Sequence, residues 1–207
     1  MIFITATDTD VGKTFFSKSL IKYLIGNNIY DKSEIAYLKA VQCGKPTDYD
    51  LIAQETGVDI HTCYDLAYPA SPDYAAKLEN QEIAIATIKN KFEDLQTQYK
   101  YIIVEGAGGV AVPLNNRDLV SDLIKALELE TVLVIRPDLG TINHSILSYE
   151  HLKAKKINIK GLFVSAKGRE ISEAYNVSPE EKTKQNNAAL KTIVEFTKAK
   201  FLELGDF

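Results

Sequence analysis

Short apolar runs that alternate with helical stripes constrain this chain more than any other feature. Ile2–Thr5, Ile35–Lys39, Tyr101–Glu105, Thr131–Ile135 and Gly161–Ser165 are rich in Ile and Val. Short continuous apolar runs are expected of strands covered on both faces. Helical patterns lie between them. Phe15–Ile25 stops at Gly26-Asn27-Asn28, a run that ends helices. Ile85, Ile88, Phe92, Leu95 and Tyr99 recur at spacings of 3 and 4, which is one face of a helix. Leu119–Leu127, Ser145–Lys156 and Glu180–Leu202 read as further helices. The alternation predicts an α/β fold with a mostly parallel sheet and helices on both faces. Ligands of such a sheet bind just beyond the carboxyl ends of its strands.

At 207 residues, one domain spanning 1–207 is expected, large enough to bury its core without staples. Its one linker-like stretch is polar, Lys167–Thr183. Cys43 and Cys63 make neither a CxxC pair nor a zinc spacing, so reduced thiols are expected. The formal net charge is -4 and the lysines are scattered, which gives no footprint for nucleic acid. Met1–Ile4 turns polar at once, and apolar runs such as Val132–Ile135 are too short to span a bilayer. A soluble, cytoplasmic protein with no nucleic-acid or membrane partner is the expectation.

Residues with chemistry to offer follow the strands. Ile2–Thr5 leads into Ala6-Thr7-Asp8-Thr9-Asp10-Val11-Gly12-Lys13-Thr14 and then a helix. That is the strand–loop–helix setting of a P-loop nucleoside triphosphatase-type phosphate site. Backbone N–H groups from Asp10 to Phe15 point at phosphates there. Lys13 reaches the β- and γ-phosphates, and the Thr14 hydroxyl ligates Mg²⁺. Strict spacing puts Thr7 where the first loop glycine belongs.

Lys39 ends the second strand, and a lysine in an apolar strand is costly unless it meets an anion. Asp48 and Asp50 open a helix; one is expected to cap it and the other to face the metal. Glu105 ends the third strand ahead of Gly106-Ala107-Gly108-Gly109, where such folds hold an acid near Mg²⁺ and let backbone approach a ligand. Pro137 to His144 leads into a helix N-terminus with a glycine, a second possible anion site. His61, His144 and His151 form no ligand motif, and His144 is expected to cap or pack.

Taken together, these segments resemble the dethiobiotin synthetase family, ATP-dependent cyclo-ligases of biotin synthesis. The matching pieces are Thr7–Thr14, Lys39–Gly44, Asp50, Ser71-Pro72, Val104–Gly109 and Leu139–His144, in that order. The resemblance implies 7,8-diaminononanoate, CO₂ and ATP as substrates, with Mg²⁺ as cofactor. A carbamate forms on one amine, attacks the γ-phosphate, and the second amine closes the urea ring.

The implied roles follow. Lys13 and Lys39 are catalytic cations, and Thr9 hydrogen-bonds the carbamate or amine. Thr14, Asp50 and Glu105 hold the metal. Asp10 to Phe15, Asp50, Glu105 to Gly108 and Ser165 bind nucleotide. Thr9, Lys39 and Cys43 meet the substrate, together with Thr141, Ile142 and Asn143 from the partner subunit of a homodimer. Ala6, Ala40, Cys43 and Asp73 depart from the family's glycine, proline, serine and histidine. Ser165 stands where the family's base-reading asparagine does, which implies weak nucleobase selectivity. Two alternatives remain open: a P-loop ATPase of the partition or switch type, and the synthetase domain of an amidotransferase.

Overall fold

A computed structural model describes residues 1–165 and 178–207. Six strands, all parallel, form one sheet: β1 (Ile2–Ala6), β2 (Ile35–Cys43), β3 (Asp59–Leu66), β4 (Tyr101–Glu105), β5 (Thr131–Ile135) and β6 (Ile159–Val164). Their order is β3-β2-β4-β1-β5-β6. The helices are α1 (Lys13–Gly26), α2 (Asp48–Thr56), α3 (Pro72–Leu78), α4 (Ile85–Gln96), α5 (Val120–Leu127), α6 (Thr141–Ala154) and α7 (Pro179–Thr197). Residues 166–177, the greater part of the polar stretch noted above, lie outside the described residues.

The five expected strands are present, and the helices fall where the periodicity put them. β3 was not foreseen. It is an edge strand whose His61, Thr62 and Asp65 interrupt any apolar run, and only its last residue is buried. Pairing with β2 along its whole length makes it a strand, and that is a tertiary cause. Several boundaries moved. β2 runs on to Cys43, so Lys39 stands within the strand and not at its end, and β6 begins at Ile159. α6 begins at Thr141, one turn earlier than expected, directly after Gly140 in a left-handed conformation. α7 stops at Thr197 rather than Leu202, because Lys198 turns left-handed and ends it. The chain then runs beside β6, with Leu162 donating to the Lys200 carbonyl and Leu202 to the Leu162 carbonyl.

Strand alternation sorts the core into two layers. Ile4, Tyr37, Ile103 and Val132 face α1 and α2 and pack with Phe16, Leu20 and Ile52. Phe3, Leu38, Val104 and Leu133 face the other way, toward Phe92 and Ile124 of α4 and α5. Lys39 and Glu105 share the α1 side with Tyr37 and Ile103, because each stands two residues further along its strand. β1 lies between β4 and β5, so the loops after β1, β2 and β4 converge over one end of the sheet.

Candidate active site

The loop after β1 wraps over the start of α1. Gly12 caps the helix with φ 117°, a conformation that L side chains rarely adopt. A Cβ there would also lie 2.1 Å from the Ser165 hydroxyl at the end of β6. Both facts demand glycine. Ser165 is buried under the loop. The glycine run after β4 presses against the same loop, since a Cβ on Gly109 would meet the Thr7 carbonyl at 2.9 Å.

Below the loop is a charge cluster whose Lys39 and Glu105 are buried and whose Asp48 is partly exposed. The Lys39 ammonium donates to Glu105 Oε1 at 2.8 Å and to Asp48 Oδ2 at 2.5 Å. The Thr14 hydroxyl donates to Glu105 Oε1 at 3.1 Å, and the Ser17 hydroxyl to Oε2 at 2.6 Å. Glu105 is shut off from water. Burial opposes the charge on Lys39, but Glu105 and then Asp48 outweigh it and hold the ammonium pKa above its usual value. Burial likewise opposes the Asp48 carboxylate, and Lys39 outweighs it and keeps that pKa low. Lys13 is different. It donates only to the backbone carbonyls of Asp8 and Gly108, at 3.1 and 2.8 Å. Burial, reinforced by the Lys39 cation, lowers its pKa to about 8.

Beside the cluster opens a cavity of about 820 Å³. Thr9, Asp10, Gly12, Lys13, Thr14, Phe15, Lys39, Cys43, Asp50, Ala107 and Gly108 line it. Val11 is buried in the core instead, while Glu105 and Gly106 are buried at the end of β4. Pro69 to Pro72, just ahead of α3, form another wall. Burial pushes the Cys43 thiol up to about 11. Thr141, Ile142 and Asn143 are not brought to this cavity within one chain. They line a separate groove between α6 and α7, where Leu139 and Leu147 are exposed.

The helix-opening acids need correction. Thr47 caps α2, its hydroxyl accepting from the Asp50 N–H at 3.2 Å, so neither aspartate does. Asp48 joins Lys39, whereas Asp50 is exposed on the cavity rim. One turn of helix decides this, and the sequence pattern alone does not say which acid points inward. Ser17 was also missed. Its one local signal is a polar residue on the apolar side of α1, four residues after Lys13 and next to Phe16.

Thr14, Asp48 and Glu105 supply oxygen donors only. Among the described residues no group of three His, Cys, Asp or Glu side chains gathers as a metal cage. Mg²⁺ characteristically takes one or two carboxylates and completes its shell with water and substrate phosphates, so this donor set fits it.

A family model described as an AAA domain matches residues 1–202. The chain is 40% identical over 200 residues to the ATP-dependent dethiobiotin synthetase of Methanococcus vannielii, covering 95% of this chain and 88% of that one. It is 36% identical over 212 residues to the protein of the same name from Thermodesulfovibrio yellowstonii, covering 93% and 84%. Among solved structures, the MinC:MinD cell division complex of Aquifex aeolicus matches at a TM-score of 0.56 and 15% identity, covering 97% of this chain and 78% of that one. The 54 kDa signal recognition particle protein of Aeropyrum pernix, in complex with GDP, matches at 0.58 and 15%, covering 99% and 42%. These last two show the fold alone. The extent and identity of the first matches decide the family, and this chain belongs to the ATP-dependent dethiobiotin synthetases.

Proposed function

We propose that this protein uses ATP to join 7,8-diaminononanoate and CO₂ into dethiobiotin, releasing ADP and phosphate. The observation that carries the reading is the Lys39–Glu105–Asp48 cluster beneath the Gly12-Lys13-Thr14 loop, with Lys39 and Glu105 buried and Asp48 open to a cavity of about 820 Å³. An anionic carbamate has to approach an anionic γ-phosphate, and fixed cations in the gap are what lower that barrier. Lys39 is one such cation. Its two carboxylate neighbours keep it charged, so it enters the reaction as a cation and does not serve as the base that takes the amine proton. Lys13 leaves the Gly108 carbonyl for the phosphates, to which the loop N–H groups also donate. Thr9 and Cys43 line the cavity, which supports reading them as contacts to the substrate's reacting end. Thr14, Asp48 and Glu105 would hold Mg²⁺. When bound, Mg²⁺ neutralises charge on the β- and γ-phosphates.

A homodimer is part of this reading. The separate groove with Thr141 to Asn143, flanked by exposed Leu139 and Leu147, suits a partner that supplies the substrate-carboxylate site at its own α6 N-terminus. Both cysteines are free, which accords with a cytoplasmic location. The deciding experiment incubates the protein with ATP, Mg²⁺, bicarbonate and diaminononanoate and detects dethiobiotin by mass. Dethiobiotin formed in step with ADP is expected. ATP hydrolysis without dethiobiotin would sink the reading.

A further inference from the structure

Tyr37 is fully buried, yet its hydroxyl makes no hydrogen bond of normal geometry. A buried hydroxyl left unmet is costly. It shares a core layer with the apolar Ile4, Phe16, Leu20 and Ile52, and a Phe would fill the same space without that cost. The hydroxyl nevertheless has a direction. Tyr37 stands two residues before Lys39 on β2, so both side chains leave the same face of the sheet. On the neighbouring strand, Lys39 is in register with Glu105. Burial first, then the Glu105 and Asp48 carboxylates, hold its pKa well above the usual value, and Glu105 is also within reach as a hydrogen-bond acceptor, although the bond does not reach normal geometry. Tyr37 is thus in register with Ile103, two residues before Glu105 and on the same face, and toward that carboxylate its phenol can only donate.

That carboxylate is already engaged. Oε1 accepts from Lys39 and Thr14, and Oε2 from Ser17. Lys39 cannot keep all of this bond once its ammonium turns to the reacting anions. We propose that Tyr37 is a positioning residue for Glu105: its hydroxyl takes up the carboxylate as Lys39 withdraws, and with Ser17 holds it toward the cation. The unmet hydroxyl of the empty site is then met in the loaded one. The inference rests on reading Glu105 as a carboxylate that faces a divalent cation.

ADP binding by calorimetry, with and without Mg²⁺, tests it on the wild type and on Tyr37→Phe, alongside the Tm of each empty protein. Three results are expected of Tyr37→Phe. Its empty Tm equals or exceeds that of the wild type, because an unmet hydroxyl has gone. Its metal-free ADP affinity stays within twofold. The gain in ADP affinity that Mg²⁺ brings falls threefold or more. Two results overturn the proposal: a smaller loss of the Mg²⁺ gain, or a lower Tm for the empty variant, which would make the phenol a structural group. If Mg²⁺ brings the wild type no gain, the divalent-cation reading fails first and this inference with it. As a second variant, Ser17→Ala should also lose Mg²⁺ gain while its metal-free ADP affinity holds. An undiminished gain there would remove the hydroxyl pair as the positioning device.

Discussion

Lys39 on β2 and Glu105 on β4 meet across neighbouring strands, ammonium to carboxylate at 2.8 Å, with side chains only 3% and 0% exposed. A pair this dry is hard to break from one side. Removing one partner of a buried ion pair strands the other charge, at about 3–5 kcal/mol. Lys39→Ala should therefore lose stability on that scale in urea unfolding. Its turnover should fall at least about a hundredfold, or about 3 kcal/mol of transition-state stabilisation. Lys13 offers the contrast, because it bonds only to backbone carbonyls. Lys13→Ala should lose as much turnover but only about 1 kcal/mol of stability. A Lys39→Ala enzyme that keeps a third of wild-type activity would remove Lys39 from the catalytic role.

Asp48 and Asp50 should separate cleanly. Asp48→Asn removes a charge that pairs with Lys39, and kcat/KM at limiting Mg²⁺ should drop about tenfold or more. Asp50→Asn alters an exposed rim residue and should stay within about twofold. Steady-state rates across a Mg²⁺ series decide the matter. The reverse order of effects would return the metal role to Asp50.

Cys43 should be slow to alkylate at neutral pH. Its thiol pKa is about 11, pushed up by burial, and only the thiolate reacts. The iodoacetamide rate should climb about tenfold per pH unit between 7 and 10. Diaminononanoate should protect, since Cys43 lines the cavity. Cys43→Ser should remain active. Mass spectrometry of the Cys43 peptide follows the reaction, and full activity after complete labelling would place Cys43 outside the substrate site.

Stability should fall as the solution is acidified below about pH 6.5, and His151 is one cause. Its Nε2 lies 2.8 Å from the buried Ser121 hydroxyl. Burial lowers its pKa from the usual 6.5, Lys155 adds to the effect, and Asp122 only partly offsets it. A folded pKa below the unfolded one means that the unfolded chain binds more protons in the window between them. This contribution is fully present above 6.5 and is lost as pH falls through the window to the depressed folded value. His61 shifts the same way. Urea midpoints from pH 7.5 down to 4.5 should show the decline, and His151→Gln should make it shallower. An unchanged slope in that variant would clear His151 of the effect.

The sequence alone was enough for the parallel α/β plan, and it singled out the loop after β1, Lys13, Lys39 and Glu105, which the fold gathers at one end of the sheet. These signals are local. A buried parallel strand is a short apolar run, a loop of this kind is a contiguous motif, and a charge within an apolar run stands out against its neighbours. The tertiary structure decided what local pattern leaves open. β3 is a strand because β2 pairs with it, and its own residues do not announce one. Asp48 rather than Asp50 enters the cluster because of how α2 is turned behind its Thr47 cap. Ser17 meets Glu105 from α1, Tyr37 leaves the same face of the sheet two residues before Lys39, and Lys39 reaches Glu105 across 66 residues of sequence. Which face of the sheet a side chain leaves by, and which charge waits there, depends on strand register and helix rotation, and these exist only once the chain has folded.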